Sequence, residues 1–313
     1  MKIDVHQHLW TEPLVQALAE RSELPFVARE HGLTVLYLAG ERPYVIDLAG
    51  ESPERRASLV AGDGLDRALL CLSSPLGIES LPRAQSRPLL DAYHEGALAL
   101  GEPFRAWAGA CLTAVDPDGL GRELERGFVG LQLPATALLS AAGYARSAPL
   151  LEVLERRGRP LFIHPGPAAP GSGREPAWWP AIVDYVQQMH AAWFAFRAHG
   201  RPRHPRLRVL FAILAGLAPL HFERFAARAG LRSEVDFDAF LETSSYGSTA
   251  IDATVRVLGI DVLVGGSDRP YAAPALGGLG SAERHALWSA NPDRLLNNKE
   301  ASHGLAISAG AQS

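Results

Sequence analysis

Lysine, cysteine and clusters of basic charge are all scarce in this chain. Lys2 and Lys299 are the only lysines among 30 basic residues, so no interior lysine is available for Schiff-base chemistry or for a carboxylated-lysine bridge between metal ions. The net charge is −4 without a basic cluster, which argues against nucleic-acid binding. Cys71 and Cys111 are too few for a disulfide framework and indicate a reducing compartment.

Long apolar segments are also absent. The longest apolar run, Val209–Leu220, is too short to span a bilayer, and the segment that begins at Ile3 leaves no room for a leader peptide. We therefore expect a cytoplasmic protein without a membrane partner. The 313 residues are 47% hydrophobic, which is ample material for one large core.

Eight short apolar segments alternate with helical patterns, and several are apolar on both faces, as buried parallel strands are. The predicted strands are Ile3–Leu9, Arg67–Leu72, Arg105–Leu112, Phe128–Pro134, Pro160–His164, Arg208–Leu214, Phe240–Thr243 and Val262–Gly266. Asp116-Pro117 is a helix start and Gly158 a helix stop. This pattern predicts an α/β protein with a (β/α)₈ TIM barrel. A doubly wound sheet is disfavoured because the turn after Leu9 lacks the glycines of a dinucleotide-binding fingerprint.

Two segments depart from the simple alternation. Residues 11–63 are too long for one crossover, and within them Leu33–Leu38 and Tyr44–Asp47 predict a hairpin insertion after the first strand. The Pro/Gly-rich loop 165–180 is either a loose connection or the wall or lid of a site. We expect residues 1–298 to form one barrel domain and 299–313 to be a poorly ordered tail.

Polar side chains stand where several predicted strands end. His6 and His8 share a strand face with Asp4 in "IDVHQH", His164 ends the strand of "LFIHPG", and Asp268 follows the strand of "VLVGGSDRP". Taken singly, such residues are more often structural than functional. In a barrel, however, these strand ends meet at the active-site rim. Three imidazoles and one carboxylate there are the ligands expected for zinc or a similar divalent ion.

The motifs "IDVHQH", "GFVGLQLPA", "LFIHPG", "LRVLFAILAGLAP", "FLETSSYG", "VGGSDRPY" and "NPDRLL" occur in this order over nearly the whole chain. With them the sequence resembles the amidohydrolase superfamily, in particular the amidohydrolase-related (family 2) branch of aminocarboxymuconate-semialdehyde decarboxylase and related aromatic-acid decarboxylases. The resemblance implies a TIM barrel of the metal-dependent hydrolase type that holds one divalent ion, with zinc expected. Its implied ligands are His6, His8, His164 and Asp268, and members of the family often form homodimers.

One position departs from the family pattern. Ile213, in "ILAGLAP", stands where the family places a histidine after strand six. A positioned general base is typically worth about 10²–10⁴ in rate. His190 and His221 could replace it but are better explained as ordinary helix residues, so Asp268 is the predicted catalytic residue that handles a proton.

Four further residues are candidates for substrate binding. Arg269 could pair with a substrate carboxylate, while Ser74 and Tyr246 could donate hydrogen bonds from strand ends, although bonds within their own turns are the usual role. Trp179 could stack on a planar substrate or simply pack the 165–180 loop onto the barrel.

Three functions remain open from the sequence. The favoured one is a mononuclear metal-dependent carboxy-lyase that acts on a small aromatic or unsaturated carboxylic acid. The second is a metal-dependent hydrolase of a lactone or amide, which the missing base disfavours somewhat more because hydrolysis needs an activated water. The third is a degenerate barrel that only binds a small molecule; Ile213 favours it and the complete ligand set opposes it.

Overall fold

The computed structural model describes residues 1–171, 174–230, 234–275 and 277–297. Its strands form two parallel sheets, ordered β1-β5-β6 and β11-β10-β9-β8-β7, and one antiparallel sheet, β2-β3-β4, in the part of the chain that is described. The strands are β1 (Ile3–Gln7), β2 (Phe26–Glu30), β3 (Leu33–Tyr37), β4 (Tyr44–Ile46), β5 (Arg67–Leu70), β6 (Phe104–Ala106), β7 (Leu131–Pro134), β8 (Leu161–His164), β9 (Val209–Phe211), β10 (Ala239–Glu242) and β11 (Leu263–Val264).

Backbone hydrogen bonds join the edges of the two parallel sheets. Ala108, just past β6, donates to the carbonyl of Gly130 ahead of β7 (2.9 Å), and Val5 in β1 donates to the carbonyl of Gly265 after β11 (3.0 Å). The eight parallel strands therefore close into the predicted barrel. All eight predicted strands are present; seven are shorter than their apolar segments, and β10 has the predicted length but begins one residue earlier.

Helices cover the barrel. They are α1 (Glu12–Ala19), α2 (Pro53–Gly62), α3 (Arg83–Ala99), α4 (Pro117–Arg126), α5 (Ala141–Arg157), α6 (Tyr185–Ala195), α7 (Phe222–Ala229), α8 (Ser248–Leu258), α9 (Ser281–His285) and α10 (Asn291–Asn297). The predicted start at Asp116 is confirmed, since its carboxylate accepts a hydrogen bond from the backbone of Gly119 at 2.7 Å. The predicted stop at Gly158 is confirmed as well. No helix among the described residues is both long and apolar enough to cross a membrane.

The predicted insertion contains the hairpin of β3 and β4, together with β2, α1 and α2, which the sequence did not predict. The hairpin tip lies against the 165–180 loop: a Cβ on Gly40 would come within 2.7 Å of the carbonyl oxygen of Ala168. Arg42 donates to the carbonyl of Glu175 at 3.2 Å. These contacts make the loop part of a wall rather than a loose connection. The predicted tail at 299–313 lies outside the described residues.

A left-handed turn follows β9. Residues 213–217 all have positive φ, between 45° and 60°, and four of them are not glycine. Such a backbone costs about 1–2 kcal/mol per non-glycine residue, so other contacts must hold it. The backbone of Ile213 donates to Oε1 of the buried Glu242 at 2.5 Å, and Gly216 packs against the backbone of Val186 in α6. The turn therefore fixes α6 against the C-terminal end of β9.

We expect Gly216→Ala to destabilise the fold by about 2–4 kcal/mol, because a Cβ there collides with the carbonyl of Val186 and also meets a positive φ. Gly230→Ala is the matched control: its φ is +66°, but nothing lies within 4 Å of its Cβ position. The control should cost only about 1 kcal/mol. Urea unfolding of both variants measures the difference, and equal losses would contradict the close packing of the turn against α6.

Candidate metal centre

Three imidazoles converge at the C-terminal end of the barrel. His6 in β1 and His8 just beyond it place their Nε2 atoms 3.1 Å apart. The ring of His164, the last residue of β8, lies 4.9 Å from that of His6 and 5.1 Å from that of His8. All three side chains are buried. The structure thus brings together histidines that are more than 150 residues apart in sequence.

Two of the outer nitrogens of these rings donate to backbone carbonyls. Nδ1 of His8 donates to the carbonyl of Cys71 at 3.1 Å, and Nδ1 of His164 donates to that of Pro165 at 2.8 Å. Nδ1 of His6 lies 3.2 Å from a carboxylate oxygen of Glu242 but makes no hydrogen bond with it. Because a carbonyl accepts only from a protonated nitrogen, the neutral rings of His8 and His164 carry their lone pairs on Nε2. Lone pairs this close are unfavourable unless a proton or cation lies between them, and this donor set suits a divalent metal ion.

Asp268 completes this group from the loop after β11. Its Oδ1 lies 3.3 Å from Nε2 of His6 and 3.1 Å from Nε2 of His8. Its side chain is 19% exposed, so the centre opens to solvent on this side. Burial raises the pKa of the Asp268 carboxyl, but the neighbouring imidazoles outweigh it and hold that pKa below its ordinary value. The four residues predicted as ligands are therefore adjacent in space.

Cys71 is a member of the cluster that sequence reasoning missed. Its Sγ lies 3.8 Å from Nε2 of His8. One candidate ligand atom from each of His6, His8, Cys71 and His164 lies within 4.8 Å of all the others. The signal available in the sequence was position: Cys71 directly follows β5, at the same rim as the histidines.

Buried polar groups hold β1 in place behind the cluster. The Asp4 carboxylate accepts from the backbone of His6 at 3.1 Å and from the side chain of Gln7 at 2.8 Å. Arg56, only 1% exposed, donates to the carbonyl of His8 at 2.7 Å. Asp4 is thus a supporting acceptor, and Arg56 is a second group that the sequence reasoning did not identify.

The mouth of the centre is aromatic. Tyr271 lies 5.6 Å from the His8 ring and is 45% exposed, and Tyr44 of the insertion lies 5.7 Å from Tyr271. Beside them the hydroxyl of Tyr185 donates to the Glu41 carboxylate. Burial is the main cause that raises the pKa of both Glu41 and Tyr185. The insertion and α6 therefore both contribute to the entrance.

Ser74 lies in a fully buried network next to the barrel interior. Its hydroxyl donates to the Glu79 carboxylate and accepts from Nε2 of Gln132 at 2.7 Å. Burial raises the pKa of Glu79 to about 7. The Ser74 hydroxyl is therefore already engaged within the protein, as the turn interpretation of this residue expected.

The remaining candidates lie in different surroundings. The guanidinium of Arg269 donates to the carboxylate of Asp63, which follows α2, at 2.6 Å. The sequence alone could not show which way this side chain is directed. Tyr246 is half-buried near Glu242, and burial raises its pKa. Trp179 is 37% exposed and packs 5.9 Å from its neighbouring tryptophan.

His190 and His221, the candidate substitutes for the missing base, contact each other with ring centroids 5.0 Å apart. His221 is exposed and His190 lies on α6. These contacts agree with their interpretation as ordinary helix residues.

No protein-family model and no curated protein sequence matches the chain. Solved structures do match. IDCase of Metarhizium anisopliae is 16% identical with a TM-score of 0.77, over 96% of this chain and 98% of that one. The 5-carboxyvanillate decarboxylase LigW of Sphingomonas paucimobilis is 17% identical with a TM-score of 0.68, over 95% of this chain and 98% of that one. A 2,6-dihydroxybenzoate decarboxylase from Rhizobium is 17% identical with a TM-score of 0.67, over 94% of this chain and 98% of that one. From end to end, the chain has the TIM-barrel fold of these decarboxylases.

Proposed function

We propose that this protein is a mononuclear metal-dependent carboxy-lyase that acts on a small aromatic or unsaturated carboxylic acid. The observation that carries the proposal is the convergence of the His6, His8 and His164 rings, with Oδ1 of Asp268 at 3.3 and 3.1 Å from Nε2 of His6 and His8. The outer ring nitrogens of His8 and His164 already donate to backbone carbonyls. The fold supports the reaction class, because the similar structures include decarboxylases of aromatic acids.

The proposed ligands of the ion are His6, His8, His164 and Asp268. Manganese is bound in a similar structure, a dihydroxybenzoic acid decarboxylase from Polaromonas; for this chain we propose zinc, to which imidazole and carboxylate ligands are suited. An ion held there supplies a Lewis acid for the oxygens of the substrate and for the charge that develops as the carboxylate leaves.

The chain's own residues then position the substrate and handle the proton. The rings of Tyr271 and Tyr44 lie beside the open side of the centre, and we propose that they flank a planar acid. Arg269 is paired with Asp63, so its role in binding the substrate carboxylate stays a prediction. Loss of carbon dioxide leaves a carbon that must gain a proton. The Asp268 carboxylate, on the open side of the centre, would take a proton from water and pass it to that carbon.

Two properties accompany this proposal. Cys71 and Cys111 are both free, which supports a reducing, cytoplasmic location. The homodimer and the roles of Tyr246 and Trp179 in substrate binding stay predictions.

Metal analysis tests the ligand set. We expect about one divalent ion per chain after purification without chelators, and loss of that ion in a His6→Ala/His8→Ala variant, because two of the three proposed imidazole ligands are then removed. His221→Ala is the control, since this exposed histidine should leave the metal content unchanged. A wild-type protein that binds no divalent ion under these conditions would contradict the proposed function.

The reaction class is tested by carbon dioxide release across a panel of hydroxybenzoates and other unsaturated cyclic acids. We expect metal-dependent release from at least one of them. Hydrolysis of lactones or amides by the metal-loaded protein, without release of carbon dioxide from any acid, would replace the decarboxylase proposal with the hydrolase alternative.

A further inference from the structure

Cys71 lies deeper in the barrel than Asp268, on the same rim. It directly follows β5, and its backbone donates to the carbonyl of Gln7 at 2.8 Å, which fixes it beside β1. The side chain is 3% exposed. Its Sγ lies 3.2 Å from the carbonyl of Gln7 and 3.8 Å from Nε2 of His8. The sulfur is therefore held among the imidazoles rather than packed into an apolar region.

The cluster has nearly the dimensions of a coordination sphere. In a tetrahedral zinc site with metal–nitrogen distances near 2.0–2.1 Å and a metal–sulfur distance near 2.3 Å, ligand atoms are separated by roughly 3.3–3.6 Å. The ligand atoms of His6, His8, Cys71 and His164 all lie within 4.8 Å of one another. The excess is at most about 1.5 Å, which side-chain rotations can remove.

The five donors differ in their access to solvent. Cys71 is 3% exposed, and the imidazoles of His6, His8 and His164 are 1–5% exposed. The Asp268 side chain is 19% exposed. A ligand on the buried side cannot be displaced by an incoming acid, whereas the carboxylate at the mouth can. Because of this difference in exposure, Asp268 is the donor that can move, while the buried donors hold the ion.

Building on the function proposed above, we infer that Cys71 is a fourth interior ligand of the metal ion, and that its thiolate makes the centre select zinc over manganese. Thiolate is a soft donor that suits zinc, whereas manganese is best served by carboxylates, carbonyls and water. Binding of the ion displaces the thiol proton, which passes to solvent.

Cobalt(II) is the probe that tests this ligand directly. A cobalt-loaded protein with a thiolate ligand has a near-ultraviolet sulfur-to-cobalt charge-transfer band in addition to its visible ligand-field bands. We expect both sets of bands in the wild type and in Cys111→Ser, the matched control at the other cysteine. In Cys71→Ser the near-ultraviolet band should be lost and the visible bands should remain.

The wild-type spectrum tests the inference even if Cys71→Ser fails to fold. Visible bands without the near-ultraviolet band would show cobalt on the histidines but not on sulfur, and would overturn the inference while leaving the proposed function intact. Failure of the wild type to bind any cobalt or zinc would instead contradict the proposed function.

Metal competition gives the second readout. With equal concentrations of zinc and manganese, we expect the wild type and Cys111→Ser to bind zinc. In Cys71→Ser the preference for zinc should fall by about tenfold or more, since even residues that only support metal ligands typically change affinity 10–100-fold. An unchanged preference in a folded Cys71→Ser protein would overturn the role of sulfur in metal selection.

Discussion

Asp268→Asn is expected to lower the rate of decarboxylation by about 10³ while the protein stays folded. The amide has the shape of the carboxyl group but cannot carry a proton to the substrate, and it lacks the charge that faces the imidazoles of His6 and His8 at 3.3 and 3.1 Å. Ile213 stands where the sequence resemblance places a histidine after β9, so no imidazole at that position can act as a second base. No second base should therefore compensate for the loss of Asp268, and the rate should fall by the whole factor of about 10³.

The measurement is kcat for carbon dioxide release, with metal content and melting temperature determined on the same samples. Asp63→Asn is the matched control, because Asp63 is likewise 19% exposed but pairs with Arg269 instead of the imidazoles. The Asp63→Asn variant should release carbon dioxide at close to the wild-type rate. A metal-loaded Asp268→Asn protein within tenfold of wild-type kcat would contradict the proton-handling role of Asp268.

Much of the fold could be predicted because parallel strands that are buried on both sides are nearly continuous apolar runs. The pattern could not reveal the helices α1 and α2 or the strand β2, since all three lie in an insertion whose stability depends on contacts with distant segments. One such contact is the hydrogen bond between Tyr185 and Glu41. Local sequence carries little information about it, because the partners are separated by more than 140 residues.

The metal centre, like the fold, could be predicted only in part. His6, His8, His164 and Asp268 could be predicted because each stands at the end of a strand, where barrel topology brings them together. The direction of the Arg269 side chain could not be predicted, because the orientation of a side chain after a strand depends on local backbone geometry: the preceding residue, Asp268, has a φ of 60°. The sequence analysis did not identify Cys71 and Glu242, because each is a single polar residue within an apolar segment. Both nevertheless stand at strand ends.

Glu242→Ala is expected to destabilise the protein by about 3–5 kcal/mol, the range for breaking a buried charged network. Its fully buried carboxylate accepts from the backbone of Ile213 (2.5 Å), from the backbone of Ser244 (2.7 Å) and from the Ser244 hydroxyl (2.6 Å). The backbone donors would lose their partner without gaining water. Because one of them begins the left-handed turn after β9, the turn should loosen with the loss of the carboxylate.

The same carboxylate should also tune the metal centre. It lies 3.2 Å from Nδ1 of His6, close enough for its charge to strengthen Nε2 as a ligand, and the loss of such a supporting group typically lowers metal affinity 10–100-fold. Urea unfolding and zinc titration of Glu242→Ala measure the two effects. Glu102→Ala is the control: it removes a 57% exposed carboxylate from Arg67 and Arg105 and should cost at most about 1 kcal/mol without any change in metal affinity.

Glu242→Gln separates the two effects if the alanine variant does not fold. Its amide oxygen can still accept from Ile213, while the amide nitrogen meets the backbone N–H of Ser244, which is itself a donor. The variant should therefore be destabilised less than Glu242→Ala and still bind zinc more weakly than the wild type, because a neutral amide lacks the charge that the carboxylate places beside Nδ1 of His6. Wild-type zinc affinity in a folded Glu242→Gln protein would show that Glu242 supports only the strained turn, and that the orientation of His6 is set by β1 alone.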